Sequence, residues 1–180
     1  MKKLLMVIPL VILLCFTFGC QDKEAMAELE AMKAQAEVEE QNIELMRKSF
    51  EEWNKGNSEF FMEATTSDYV YYSPSGNPNP ICREDAVESV KMFWKGFPDI
   101  SFSIEEIIAK GDKITTRFVA RGTHEGEFMG IPATGNKIEL STIIITRIEN
   151  RKFVEGWEEM DRLGLMMQLG MDLKPKKTEK

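Results

Sequence analysis

The hydrophobic period of this chain changes once, at Pro98. Before it apolar residues recur at helical spacing and after it they alternate, a pattern that no all-helical or all-strand fold accommodates. Upstream, 21–57 is rich in Ala, Glu, Lys, Gln and Met and has no proline, which predicts a helix. Gly56, Asn57 and Ser58 close it and cap a second, shorter helix over about 59–64. Tyr69-Val70-Tyr71-Tyr72 is a short β-rich run stopped by Ser73-Pro74, and 75–80 reads as loop. A third helix spans 83–95 with Ala86, Val90, Phe93 and Trp94 on one face, ended by Gly96 and Pro98. Downstream, 100–109, 113–123, 137–149 and 152–160 alternate like strands, with tight turns at Gly111-Asp112 and Asn150-Arg151. A Gly/Pro loop over 124–136 joins the two middle strands, and 163–173 is a short apolar tail. Helices followed by an antiparallel meander predict an α+β domain.

The amino end has a different logic. Lys2 and Lys3 precede an apolar run over 4–18 that ends in Gly19-Cys20, which is the pattern of a secretory signal. The run is shorter than the ~20 residues a spanning helix needs and contains Pro9; a short transmembrane anchor is the alternative. The Gly-Cys ending resembles a bacterial lipoprotein signal, with Thr17 where that class usually has leucine. The resemblance implies that Cys20 becomes the lipid-bearing first residue, tethering the protein to a bacterial membrane outside the cytoplasm. Loss of Cys15 and lipidation of Cys20 would leave Cys82 alone, so no intramolecular disulfide forms and the core must hold the fold. The expected divisions are a signal peptide over 1–19, lipidated Cys20 and a helical stalk over 20–40, a domain over 41–173 and a basic tail over 174–180.

Leu29, Ala36, Ile43 and Phe50 repeat every seven residues, as do Met32, Glu39, Met46 and Trp53. Two readings stay open: a coiled-coil dimer, or a solvated stalk to about residue 40 followed by an amphipathic helix burying Ile43, Met46, Phe50 and Trp53.

Composition narrows the chemistry. The net charge of −7 and the lack of a Gly-rich phosphate loop argue against nucleic acid or nucleotide partners. One histidine, His124, and three cysteines exclude the usual zinc sites, and no metal is expected. A sheet curled over helices leaves an apolar hollow at its open end, suited to a small apolar ligand. On the last strand Phe153, Glu155, Trp157 and Glu159 share one face, and Asp161 continues that parity. On the 113–123 strand, Ile114, Thr116, Phe118 and Ala120 form the apolar face. Met129, Met160, Met166 and Met167 are candidates for an adaptable lining, and Cys82 reads as a small buried residue near a helix start.

Phe97-Pro98-Asp99-Ile100, Gly111-Asp112 and the run from Gly122-Thr123-His124-Glu125-Gly126 through Phe128-Met129-Gly130-Ile131-Pro132 to Gly135 resemble the SnoaL-like polyketide cyclases of the nuclear transport factor 2-like superfamily. Glu155-Gly156-Trp157, Asp161, Leu163-Gly164-Leu165 and Gln168-Leu169-Gly170 extend the similarity, which covers about 43–170. The resemblance implies a cone of curved antiparallel sheet on about three helices, often paired as a homodimer through the sheet. It implies ring closure by intramolecular aldol condensation without metal or organic cofactor, with Asp161 as the general acid/base. Tyr72 and Gly156 stand where many relatives carry histidine. The expected site is Asp161 in a pocket with Tyr72, Trp94, Phe118, His124, Met129 and Trp157. Two functional classes remain: a cofactor-independent cyclase, isomerase or hydrolase acting on a small apolar carbonyl compound, or a lipid-anchored module that binds a ligand or partner without turnover.

Overall fold

The computed structural model describes residues 4–74, 76–172 and 174, with side chains from Lys23 onward. The side chains of the expected signal segment and of Cys20, and the tail beyond 174, lie outside the described residues. Among the described residues no helix is long and apolar enough to cross a membrane. The chain divides into two compact units, Met1–Val38 and Glu39–Lys180. In the first, helix α1 (Leu4–Asn54) begins, and every described side chain over 23–38 is exposed.

In the second unit the rest of α1 is amphipathic. Asn42, Met46, Ser49 and Phe50 are buried, with Ile43 and Trp53 partly covered beside them, at the spacing of one helical face. The Asn54 side-chain amide closes the helix onto the sheet, donating to the Phe102 carbonyl at 2.9 Å and accepting from the Phe102 N–H at 2.7 Å. Asn57 caps α2 (Ser58–Ala64) by accepting from the N–H groups of Glu59 and Phe60. Strand β1 (Thr65–Tyr72) and the two-residue β2 (Ile81–Cys82) precede α3 (Arg83–Gly96). The meander follows as β3 (Ser101–Lys110), β4 (Lys113–Thr123), β5 (Lys137–Glu149) and β6 (Lys152–Met160), and then α4 (Arg162–Gln168). Positive φ at Gly111, and at both Asn150 and Arg151, makes the two hairpin turns the sequence predicts.

The sheet order is β2-β1-β6-β5-β4-β3. The β3–β6 meander is antiparallel as expected, β1 pairs with β2 antiparallel, and β1 joins the meander by a parallel pairing with β6. β1 also begins four residues before the expected run, because Thr65-Thr66-Ser67-Asp68 has no apolar alternation to announce it. Register shifts in β1, β3 and β6 bend the sheet around its inner face. Two apolar clusters lie on that face. One is built on Met46, Phe50, Tyr69, Phe118 and Phe153, the other on Phe97, Phe128, Leu140, Leu165 and Leu169.

Candidate active site

Both clusters contribute to the wall of one cavity of about 470 Å³, within the usual range for small-molecule sites. Phe61, Phe93, Phe102, Phe118 and Phe128, with Trp53, line it beside aliphatic residues and methionines, so most of its wall is apolar. Ser89 and Thr142 also line it, and five further polar residues stand together: Tyr69, Tyr71, Ser73, Glu158 and Arg162.

Glu158 faces inward because β6 is bulged. Its pairing with β5 shifts between Arg147 and Ile148, so Ile148 opposes Phe153 while Arg147 opposes Glu155. The extra residue reverses the alternation: Phe153 is buried, and from Gly156 onward the inward positions are Gly156, Glu158 and Met160. The parity expected for this strand, with Glu155, Trp157 and Glu159 on the face of Phe153, is thereby corrected.

The Ser73 hydroxyl donates to Glu158 Oε2 at 2.5 Å, and Arg162 Nη2 donates to Ser73 Oγ at 2.7 Å. The Tyr71 hydroxyl also hydrogen-bonds the Glu158 carboxylate. Burial raises the Glu158 pKa above its usual value, opposed by the Ser73 and Tyr71 hydrogen bonds and the Arg162 charge. Burial raises the Tyr69 and Tyr71 phenols too, and the neighbouring Glu158 charge adds to both, so each remains a protonated donor. Gly156 makes room for these rings. A Cβ there would lie 2.6 Å from the Tyr69 hydroxyl and 2.8 Å from Tyr71 Cδ2, so the tyrosines occupy the space a larger side chain would need. Among the described residues no cluster of His, Cys, Asp and Glu could hold a metal ion.

The family model for SnoaL-like polyketide cyclases matches residues 43–169. The chain belongs to this family. Among solved structures, the SnoaL-like domain is similar to AclR of Streptomyces galilaeus, described as a candidate hydroxylase, at 27% identity and a TM-score of 0.69, over 77% of this chain and 87% of that one. It is similar to IdmH of Streptomyces antibioticus, a candidate polyketide cyclase, at 30% identity and a TM-score of 0.63, over 72% of this chain and 99% of that one. A candidate cyclase from Bacillus cereus ATCC 10987 matches at 26% identity and a TM-score of 0.61, over 74% and 83% of the two chains. No curated protein matches the sequence.

The SnoaL-like motifs in the middle of the chain hold backbone in place. Asp99 accepts from the Thr123 N–H at 2.6 Å and from its hydroxyl at 2.7 Å, bonds that lower its pKa and fasten the start of β3 to the end of β4. The Gly96 carbonyl accepts from the N–H groups of Glu125 and Gly126, and a Cβ at Gly126 would lie 2.0 Å from the Lys95 carbonyl oxygen. His124 is fully buried. Its Nδ1 lies 3.0 Å from the Thr134 hydroxyl and accepts from the Thr134 N–H at 3.3 Å, while its ring packs against Phe97 and Phe128. It staples the 124–136 loop.

Of the site residues expected from sequence, Phe118 and Met129 line the cavity, Met129 from an exposed loop position with φ 52°. The other five lie outside its lining. Tyr72 stacks on Trp157 with ring centroids 6.1 Å apart, and Lys113 Nζ lies 5.8 Å from the Trp157 ring. Both rings belong to the face of the sheet opposite Glu158. Trp94 packs partly buried on the second apolar cluster, and His124 belongs to the loop staple. Asp161 is exposed, and its Oδ1 accepts from the Gly164 N–H at 2.8 Å as the N-cap of α4. Met160 and Met166 line the cavity, whereas Met167 is exposed. Cys82 is exposed, contrary to the buried position expected, because it precedes α3 at the edge of the sheet. The polar residues sequence reasoning missed are Tyr69, Tyr71, Ser73, Glu158 and Arg162. One signal pointed to them: a glycine inside a strand pattern, Gly156, marks a bulge or a close approach.

Proposed function

We propose that the protein catalyses cofactor-independent proton transfer on a small apolar carbonyl compound, in the manner of a cyclase or isomerase, with Glu158 as the acid/base. The observation that carries this reading is a buried carboxyl in a largely apolar cavity, held by two hydroxyls. The ionised Glu158 takes a proton from the carbon next to a carbonyl. Its raised pKa brings it nearer the working pH and makes it a better base than an exposed carboxylate. The Tyr71 hydroxyl, with Tyr69 beside it, is the donor for the enolate oxygen as charge develops there. In an isomerisation the proton returns to a different carbon. In a cyclisation the enolate carbon attacks a second carbonyl of the same molecule, a carbon–carbon bond forms, and protonated Glu158 gives its proton to the new alkoxide.

The family membership and the likeness to IdmH support this class of reaction without naming a substrate. The test follows deuterium exchange of ionisable carbonyl compounds by NMR in heavy water. The wild-type protein should accelerate exchange on at least one compound, and Glu158→Gln should slow it by about a hundredfold or more. Exchange unaffected by Glu158→Gln would overturn the assignment. Binding without exchange in the wild type would favour the non-catalytic module. The Lys2-Lys3 start, the apolar run and Gly19-Cys20 support the further proposal that the domain works outside the cytoplasm on a lipidated Cys20.

A further inference from the structure

The cavity holds one cation among the described residues that line it, and that cation is Arg162. Its setting differs from that of four of the six other arginines, and unlike Arg47 and Arg151 it lines the cavity. Arg83, Arg117, Arg121 and Arg147 each lie within salt-bridge distance of a glutamate. Arg162 has no salt-bridge partner among the described residues, and its Nη2 donates to the neutral Ser73 hydroxyl at 2.7 Å. That bond ties the guanidinium to the end of β1 and leaves further donors of its planar fork to be satisfied by water or a ligand. Ser73 in turn donates to Glu158, so the cation and the proposed acid/base are joined through one hydroxyl and stand side by side in a largely apolar cavity.

We infer that the ligand of this cavity is an apolar carboxylic acid, its carboxylate seated on Arg162 and its hydrocarbon or aryl body among Trp53, Phe61, Phe102 and Phe118. The inference rests on the proposed use of Glu158, because a carboxylate fixed on Arg162 brings the ligand carbons nearest that anchor to Glu158. A planar guanidinium suits a carboxylate better than a neutral carbonyl, since two parallel N–H donors meet two oxygens. The Ser73 hydroxyl stands between the guanidinium and the Glu158 carboxyl, so the ligand carboxylate takes the Arg162 donors that Ser73 does not use. The apolar walls supply contact but no countercharge, so the preference for an acid over its ester falls on Arg162.

The experiment measures binding of 4-phenylbutyrate and 6-phenylhexanoate, each beside its methyl ester, through quenching of Trp53, which lines the cavity. The wild type should bind an acid about tenfold or more tightly than its ester. Arg162→Gln should bind acid and ester alike, with ester affinity as in the wild type. Arg162→Lys should recover part of the preference as a point charge without the fork. Glu158→Gln should keep the preference, which separates this inference from the catalytic one: exchange chemistry fails without Glu158, acid recognition fails without Arg162. Thermal unfolding checks that each variant is folded; Arg162 is exposed, so its substitutions should leave the midpoint nearly unchanged. Equal affinity for acid and ester in the wild type, a preference that survives Arg162→Gln, or no binding of either series would overturn the inference.

Discussion

Glu158 and Asp161 lie three residues apart, yet Glu158 is buried in the cavity wall under the Ser73 and Tyr71 hydroxyls while Asp161 is exposed and caps a helix. Both are carboxylates at the end of β6, and the family resemblance points to Asp161. The difference comes from backbone geometry. The bulge opposite Arg147 and Ile148 turns Glu158 inward, and the strand ends at Met160 before the alternation reaches Asp161. Residue type alone does not assign a carboxylate its work. Its solvent exposure and hydrogen-bond partners do, and those follow from register.

The largest expected effect strikes the packing that lets Glu158 meet its partners. Gly156→His, which introduces the residue implied there by the resemblance, would drive a side chain into the Tyr69 hydroxyl and the Tyr71 ring. Tyr69 is 3% exposed and belongs to the core cluster, so it has little room to yield. Overpacking of this kind costs about 1–3 kcal/mol or more, to be read from urea unfolding. An unchanged midpoint would mean that the two rings are free to move aside, and with them the donors to Glu158.

The next effect is one of pH. A buried carboxyl with a raised pKa binds its proton more tightly in the folded protein than in the unfolded chain. Folding stability linked to Glu158 is therefore greatest below the usual value of 4.5 and falls as pH rises through the raised folded value. Glu158→Gln removes this slope, so the variant should gain stability relative to wild type as pH rises from 4 to 8. Glu52 has the opposite sign. Hydrogen bonds from Lys48, Lys55 and Asn57 lower its pKa to about 2, so its contribution is present at neutral pH and is lost as pH falls toward that value. Stability measured at several pH values would separate the two carboxylates. A pH-independent difference between Glu158→Gln and wild type would contradict the burial of Glu158.

Much of the fold was legible because the periods are unbroken where they matter. β4 and β5 pair without a shift from Lys113 to Thr123, so alternation alone put Ile114, Thr116, Phe118 and Ala120 on the inner face, where they lie. The same reasoning on β6 met a bulge that alternation does not announce, and every residue beyond it changed face. Gly56, Asn57, Gly111 and Asn150-Arg151 marked their turns because positive φ and side-chain caps have a restricted chemistry. The parallel pairing of β1 with β6 and the polar first half of β1 left no trace in composition. The polar part of the site was hidden for a related reason: Ser73 and Arg162 are 89 residues apart, and only the three-dimensional path of the chain brings them together.

The smallest effect tests the other side of the comparison. Asp161→Ala removes the side chain that accepts from the Gly164 N–H, which should cost about 1 kcal/mol. Asp161→Asn, whose amide oxygen still accepts that bond, should cost little. Neither change alters the bulge, the tyrosine pair or the Ser73 link to Glu158, so deuterium exchange in Asp161→Asn should remain within about twofold of wild type while Glu158→Gln loses about a hundredfold. Should Asp161→Asn abolish exchange as completely as Glu158→Gln, the role implied by resemblance would belong to Asp161. Its carboxylate would then have to leave the cap of α4 for the cavity, and the cost of Asp161→Ala to stability would fall below that of an ordinary cap. Measuring exchange and unfolding on the same two variants therefore decides which carboxylate performs the chemistry and which one only starts a helix.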